Sequence, residues 1–371
     1  MIIIFTSNTD GGIVQFAMQL TAELTKINIP CKCLIPENAV GVITNEISQC
    51  VIRYKKFKAI SQNDKRIKEL AKLLTAYEPS VIWYVDSSIL SSELCSYLAR
   101  GSYRRYTQLF TIHDPVKDHP TNKITLREKL KNVLIHKRRD EALNKSDKIV
   151  TLSPESGRQF GIKYPQYLNK SIVFNLGAHI PNVKEKKPEE CNELSSSFFL
   201  FFGRIDRYKG IEALLRAFAN RKDRQQRLII AGKGIFTDAE EELVRTTENL
   251  IVLNRYIEDE EQIWLFRHAK ALVLPYIEAS QSGVIPIAYK FGVPVIVTNV
   301  AGLTQFVENY KTGIVCNNIL EITTAIDSMD NYMNDMRIAC FEYYNKYLDW
   351  EHSIQTMLAS LDIKCEVAND R

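Results

Sequence analysis

The sequence predicts an α/β protein of two doubly wound domains, each a parallel sheet with helices on both faces. Three observations lead there: a length of 371 residues, a strand, loop and helix rhythm from the first residues onward, and an interruption of that rhythm over residues 182–197, after which it restarts. One hydrophobic core rarely serves so long a chain, because domains typically hold about 100–200 residues. With 45% hydrophobic and 25% charged residues, the composition excludes disordered and fibrous classes.

The first domain is placed at residues 1–181. Ile2 to Thr6 is β-rich, Ser7 to Gly12 is turn chemistry, and Val14, Met18, Leu20, Leu24 and Ile27 then recur at roughly helical spacing. Short apolar strands are expected at Cys33 to Ile35, Val51 to Tyr54, Val81 to Val85, Leu109 to His113, Ile149 to Ser153 and Ile172 to Asn175, with charged helical stretches such as Asp64 to Tyr77 between them. Such alternation implies parallel strands covered on both faces.

Residues 182–197 are rich in Lys, Glu and Ser and lose periodicity, and the interdomain linker is placed there. The second domain, 198–347, is expected to contain strands at Phe198 to Ile205, Leu228 to Ala231, Ile251 to Leu253, Leu272 to Tyr276 and Val295 to Thr298. Helices fill the intervals, and from Leu303 onward only helices are expected. The apolar spacing of Leu348 to Leu361 marks a terminal helix, and the segment 348–371 is expected to cross back to the first domain. Ligands of such sheets bind outside the carboxyl ends of the strands, so the functional site is expected in a cleft between the halves.

Several classes of protein are disfavoured. No apolar stretch approaches the ~20 residues of a membrane helix, and the start carries neither a basic region nor a cleavage site of a secretory signal, so a cytoplasmic location is expected. The eight cysteines form no CxxC pair or zinc spacing. No Gly-x-x-x-x-Gly-Lys-Ser/Thr is present, and Gly232-Lys233-Gly234 lacks the third glycine of a dinucleotide fingerprint. The net charge of +4 is uneven: residues 101–150 hold twelve Lys or Arg against six Asp or Glu. Within it, 123–148 reads either as a solvated basic helix or as a face resting on anionic lipid at the inner face of a membrane.

Chemistry concentrates in two stretches of the second domain. Phe201-Phe202-Gly203-Arg204-Ile205-Asp206-Arg207-Tyr208-Lys209-Gly210 puts a guanidinium where a strand ends and a Lys where the next helix begins. A planar fork, a point charge and unpaired helix N–H groups together suit phosphate oxygens. Glu278-Ala279-Ser280-Gln281-Ser282-Gly283-Val284 is a second strand-loop-helix element, whose backbone from Ser282 to Val284 offers donors and whose Glu278 offers an acceptor for sugar hydroxyls.

With Asp10-Gly11-Gly12, Thr111-Ile112-His113-Asp114, Ala231-Gly232-Lys233-Gly234 and Phe291-Gly292-Val293-Pro294, these stretches make the sequence resemble glycosyltransferase family 4 over most of its length. The resemblance implies the GT-B arrangement, two Rossmann-like doubly wound domains facing each other across a cleft. It implies a retaining, metal-independent transfer from a UDP- or GDP-sugar, without a cofactor, to a saccharide or lipid-linked acceptor, as in surface polysaccharide synthesis. Arg204 and Lys209 would then hold the donor diphosphate, with Gly203, Gly232 and Lys233 beside them. Glu278, Ser282, Gly283 and Val284 would meet the donor, and His113, Gly11 and Gly12 would lie near the transferred sugar. One departure is plain: where many family members carry a second Glu for the ribose, this chain has Pro286-Ile287, leaving Glu258, Glu260 or Glu261 as candidates. That departure also motivates an alternative, a degenerate sugar-nucleotide-binding or scaffold protein of the same fold.

Overall fold

A computed structural model describes residues 1–40, 46–58, 64–100, 106–115, 126–178, 180 and 183–361, with only the backbone of 126–132. The chain divides into two compact units, Met1–Asn175 with Trp350–Arg371, and Leu176–Asp349.

The first unit is built on seven parallel strands. In chain order these elements are β1 (Ile2–Phe5), α1 (Gly11–Lys26), β2 (Cys31–Pro36), β3 (Val51–Tyr54), α2 (Lys65–Thr75), β4 (Val81–Tyr84), α3 (Ile89–Leu98), β5 (Thr107–Ile112), α4 (Leu126–Lys145), β6 (Lys148–Thr151), α5 (Pro154–Lys163) and β7 (Ser171–Val173). The order across the sheet is β3-β2-β1-β4-β5-β6-β7. Ile2 lies beside Cys31 on one side and Val81 on the other, so β1 is paired along both edges and covered on both faces, which is why it reads as an unbroken apolar run. The helix α5 was not expected from apolar spacing. Its signal is the start: the Ser153 side chain accepts from Ser156 N, and Pro154 occupies the first turn, where its missing N–H costs nothing.

The second unit holds β8 (Phe198–Phe202), α6 (Ile211–Ala219), β9 (Leu228–Ala231), α7 (Asp238–Thr246), β10 (Leu250–Leu253), α8 (Asp259–His268), β11 (Ala269–Leu274), α9 (Val284–Lys290), β12 (Val295–Thr298), α10 (Ala301–Thr304), β13 (Gly313–Cys316), α11 (Ile319–Ser328) and α12 (Met333–Tyr343). Its strands run parallel in the order β10-β9-β8-β11-β12-β13. Two expectations need correction. The strand β13 lies in a region read as helical throughout; the run Gly-Ile-Val-Cys is short and β-branched, and it pairs residue by residue with β12 from Val295↔Gly313 to Thr298↔Cys316. Residues 183–197 are not a free linker either, since Cys191 and Leu194 are buried in the core of the second unit and Lys187 Nζ donates to the carbonyls of Asn192 and Leu194. The charge-rich composition of that stretch conceals two apolar anchors.

The chain leaves the second unit and re-enters the first with α13 (Trp350–Ala359). Trp350 stacks on Phe16 of α1 at 5.8 Å and lies 5.9 Å from Phe174, which meets Trp83 edge-on at 5.2 Å. This cluster binds a terminal helix to the element that follows the first loop. Trp350→Ala is expected to destabilise the protein by about 3–5 kcal/mol, the usual cost of truncating a buried Trp, readable as a shift of the urea unfolding midpoint.

The basic segment 123–148 begins outside the described residues. Within α4, Arg138 pairs with the buried Glu93 at 2.8 Å and Arg139 donates to Tyr164 Oη at 2.9 Å, so these two cations face the protein. Val133 and Leu134 are exposed.

Candidate functional site

In the second unit the strand order reverses direction between β8 and β11, and ligands of open α/β sheets gather outside the carboxyl ends of strands at such a point. The loops leaving these two strands carry Gly203 to Gly210 and Pro275 to Val284. They are fastened to each other, because Ile277 N donates to Tyr208 O at 2.8 Å and a Cβ on Gly210, at φ +67°, would collide with the Pro275 carbonyl. A third loop joins them from β9. Ile205 N donates to Lys233 O at 3.1 Å, and Gly232, at φ +144°, lies so close to Gly203 that any Cβ would strike its carbonyl. The paired glycines let two backbones touch at the strand ends, which brings Arg204 and Lys233, both exposed, onto the same end of the sheet.

Lys209 is the unusual group. It is half-buried, and its Nζ lies 3.7 Å from the centroid of the Tyr276 ring and 4.9 Å from that of Tyr208. Burial and the Arg204 guanidinium lower its pKa to about 7, and the smaller influence of the Asp206 carboxylate opposes them. Among the described residues neither Arg204 nor Lys209 belongs to a salt bridge. A desolvated ammonium held between two ring faces and next to a second cation is stabilised fully only when an anion arrives.

The loop after β11 supplies polar atoms beside these cations. The side-chain oxygen of Gln281 is buried with no hydrogen-bond partner among the described residues, and the buried hydroxyls of Tyr276 and Ser282 have at most each other. Each such group costs about 1–3 kcal/mol unless something pairs with it, so the loop is suited to a hydrogen-bonding ligand. Glu278 is half-buried in the same loop; Gly283 is exposed at the start of α9, which has no side-chain cap, and Val284 follows it. Gly302 presses against the Ala279 carbonyl, fixing the loop from below.

The remaining candidates belong to the first unit. Gly11, at φ +75°, and Gly12 are exposed at the N-terminus of α1, with open space where a Cβ would stand. His113 follows β5; one ring nitrogen, Nε2, lies 2.7 Å from the Val85 carbonyl, and burial lowers its pKa. A neutral ring that donates to that carbonyl leaves Nδ1 as an acceptor.

Asp86, in a stretch too irregular to interpret from sequence, organises the first loop. Its Oδ2 accepts from Thr6 Oγ1 at 2.8 Å and Ser7 N at 2.6 Å, and its Oδ1 from Ser88 N at 2.9 Å and Ser91 Oγ at 2.6 Å. An acid that follows a strand, with Ser87 and Ser88 directly after it, is the trace of this in the sequence. Nor did residue types reveal Tyr208 and Tyr276 as the walls around Lys209.

Pro286 and Ile287, which stand where the family resemblance implies a ribose-binding Glu, are buried within α9 and serve the core. Of the acids offered in their place, Glu261 is claimed by Arg255, with contacts of 2.6 and 2.8 Å, and together with Glu258 it closes the capping box of α8. Among the described residues no group of three or more His, Cys, Asp or Glu side chains is placed to hold a metal ion, and no helix is long and apolar enough to cross a membrane.

Comparison with known proteins places the fold. Residues 196–331 match the model of the family Glycosyl transferases group 1. A stretch of 118 residues, 31% of the chain, is 30% identical to the uncharacterized glycosyltransferase MJ1607 of Methanocaldococcus jannaschii, and the match spans only 30% of that protein. Among solved structures, the Anabaena protein Alr3699/HepE, crystallised with UDP and glucose, superposes with a TM-score of 0.71 at 15% identity, over 97% of this chain and 98% of that one. Sucrose-phosphate synthase from Thermosynechococcus elongatus gives 0.70 at 17% identity over the same shares. WaaG, a glycosyltransferase of lipopolysaccharide biosynthesis, gives 0.65 at 13% identity over both full chains. The α/β fold with two Rossmann-like units is that of these GT-B proteins.

Proposed function

We propose that this chain is a retaining glycosyltransferase of family 4 that moves a hexose-like sugar from a nucleoside diphosphate sugar to a saccharide or lipid-linked acceptor, without a metal ion. The observation that carries the reading is the pair Arg204 and Lys209, in no salt bridge among the described residues and located at the strand ends between β8 and β11. The family match covers the same region, and the UDP bound by the Anabaena neighbour makes UDP-sugars the first donors to test.

The chemistry follows from charge. When the sugar leaves, negative charge grows on the β-phosphate, and cations already aimed at it lower the barrier without reorganising. Lys209 gains most, because the arriving dianion restores the proton that burial had loosened. Ser282 Oγ and the N–H groups at the start of α9 offer donors to the same anion, and the Glu278 carboxylate accepts from sugar hydroxyls. On this reading the departing phosphate takes the proton of the acceptor hydroxyl on the face where the new bond forms, so no protein nucleophile is required. His113, neutral, offers Nδ1 to a hydroxyl of the transferred sugar.

Calorimetric titration with a panel of UDP- and GDP-sugars, followed by a donor-hydrolysis assay, tests the reading. Binding and slow hydrolysis of one donor are expected; binding without turnover of any kind would favour a degenerate sugar-nucleotide-binding protein. A role in surface polysaccharide synthesis fits a lipid-linked acceptor, and the exposed Val133 and Leu134 on α4 support contact of 123–148 with anionic lipid. Co-sedimentation with anionic vesicles, weakened by salt, is the expected outcome.

A further inference from the structure

A cavity of about 720 Å³ opens within the first unit at the carboxyl ends of its strands, remote in sequence from every donor residue of the second unit. Ser7 and Asn8 after β1, Glu37 after β2, and Lys55, Lys56 and Lys58 after β3 line it. The strand order reverses between β1 and β4, so this cavity sits at the first unit's own ligand-binding position. All three lysines are exposed, and none is in a salt bridge among the described residues. Glu37 is the one acidic residue of this lining, against the three lysines.

The walls are built, not loose. Arg66 is held by Asp64 at 2.7 and 2.9 Å, donates to the Lys58 carbonyl at 3.4 Å and lies over the Phe57 ring at 4.9 Å, which fixes the lysine-bearing segment from behind. Arg53 donates to the Glu37 carbonyl at 2.8 Å, and Ser7 is fixed through Asp86 and through its hydroxyl to Ser88 Oγ at 2.7 Å. Three like charges kept together on a positioned segment repel one another until an anion shields them.

We propose that this cavity binds the phosphoryl group of a phosphorylated acceptor. Ammonium groups act as point charges and suit a phosphate ester, whose oxygens accept from several directions. The assignment to the acceptor rests on the glycosyltransferase reading: the loop that gives Ser7 and Asn8 to the cavity is the one that presents Gly11 and Gly12 next to the transferred sugar.

The test is equilibrium binding of a hexose 6-phosphate, octyl phosphate and inorganic phosphate to the full chain, its Lys55→Gln/Lys56→Gln/Lys58→Gln form and its Arg204→Ala/Lys209→Ala form. At least one ester is expected to bind at least tenfold more weakly to the lysine variant while keeping its affinity for the Arg204/Lys209 variant; the better ester tells a sugar phosphate from a lipid phosphate. Donor affinity and the thermal midpoint of the lysine variant are expected to stay at wild-type values. Ester binding that ignores the three lysines, or that vanishes only with Arg204 and Lys209, would overturn the site. Inorganic phosphate binding as tightly as both esters would overturn the acceptor assignment. A chain that binds no UDP- or GDP-sugar but keeps lysine-dependent ester binding fails the glycosyltransferase reading and upholds the anion site.

Discussion

Replacing Lys209 with Ala, or Arg204 with Ala, is expected to lower kcat by about 100- to 1,000-fold each, the scale seen when one preorganised donor to a developing anion is removed. The fold is expected to survive, since Arg204 is exposed and Lys209 makes no salt bridge among the described residues. The two positions separate by pH. With its pKa at about 7, Lys209 is half protonated in the free protein near neutrality, whereas bound diphosphate favours the charged form. Donor affinity is therefore full below pH 7 and falls as pH rises through that value, by up to about tenfold per unit. The Lys209→Met variant should lose this dependence. Its stability should move the other way: the folded state lowers the lysine's pKa, so the charged form costs stability, in full below pH 7 and no longer above the unfolded value near 10.5. A Lys209→Met chain that unfolds at higher temperature than wild type at pH 6, yet turns over donor about 100- to 1,000-fold more slowly, is the expected result. An unchanged pH profile of donor binding in that variant would remove Lys209 from the site.

Much of this arrangement is legible in the residues. The central strands β1 and β8 are continuous apolar runs because both faces are covered, and the loops after β8 and β11 announce themselves by Gly, Arg, Lys and Ser at strand ends. What escapes is whatever depends on partners distant in sequence. The strand β13 is four residues long and gains its identity from β12; Cys191 and Leu194 are two apolar residues in a charged stretch, and only the second unit's core reveals them as anchors. Likewise Asp86 is one acid among many until Thr6, Ser7, Ser88 and Ser91 converge on it, and the low pKa of Lys209 exists only where packing buries its ammonium beside Arg204. Residue types announce which chemistry is available; the depth at which a charge sits is a property of the packed neighbours.

The glycine at 232 offers the second large effect, and it separates positioning from charge. Gly232→Ala adds one methyl group and changes no charge, yet that group must stand where the Gly203 carbonyl now lies and the residue must hold φ near +144°. Such a backbone conformation costs a residue with a Cβ about 1–3 kcal/mol before the collision is counted. Relief requires Gly203 to withdraw from Ala231, to whose carbonyl its N–H donates at 3.0 Å, and that movement carries the adjacent Arg204 with it. Two outcomes are expected together: a loss of about 3 kcal/mol or more in the unfolding free energy, placing the substitution among the severe ones, and donor affinity at least tenfold weaker under conditions where the variant is still folded. Lys233→Ala, at the exposed neighbouring position, is the matched control, removing a charge without moving the backbone. If Gly232→Ala weakened the fold but left donor affinity at the Lys233→Ala level, the contact of the two loops would be a packing feature alone, and the position of Arg204 would not depend on it.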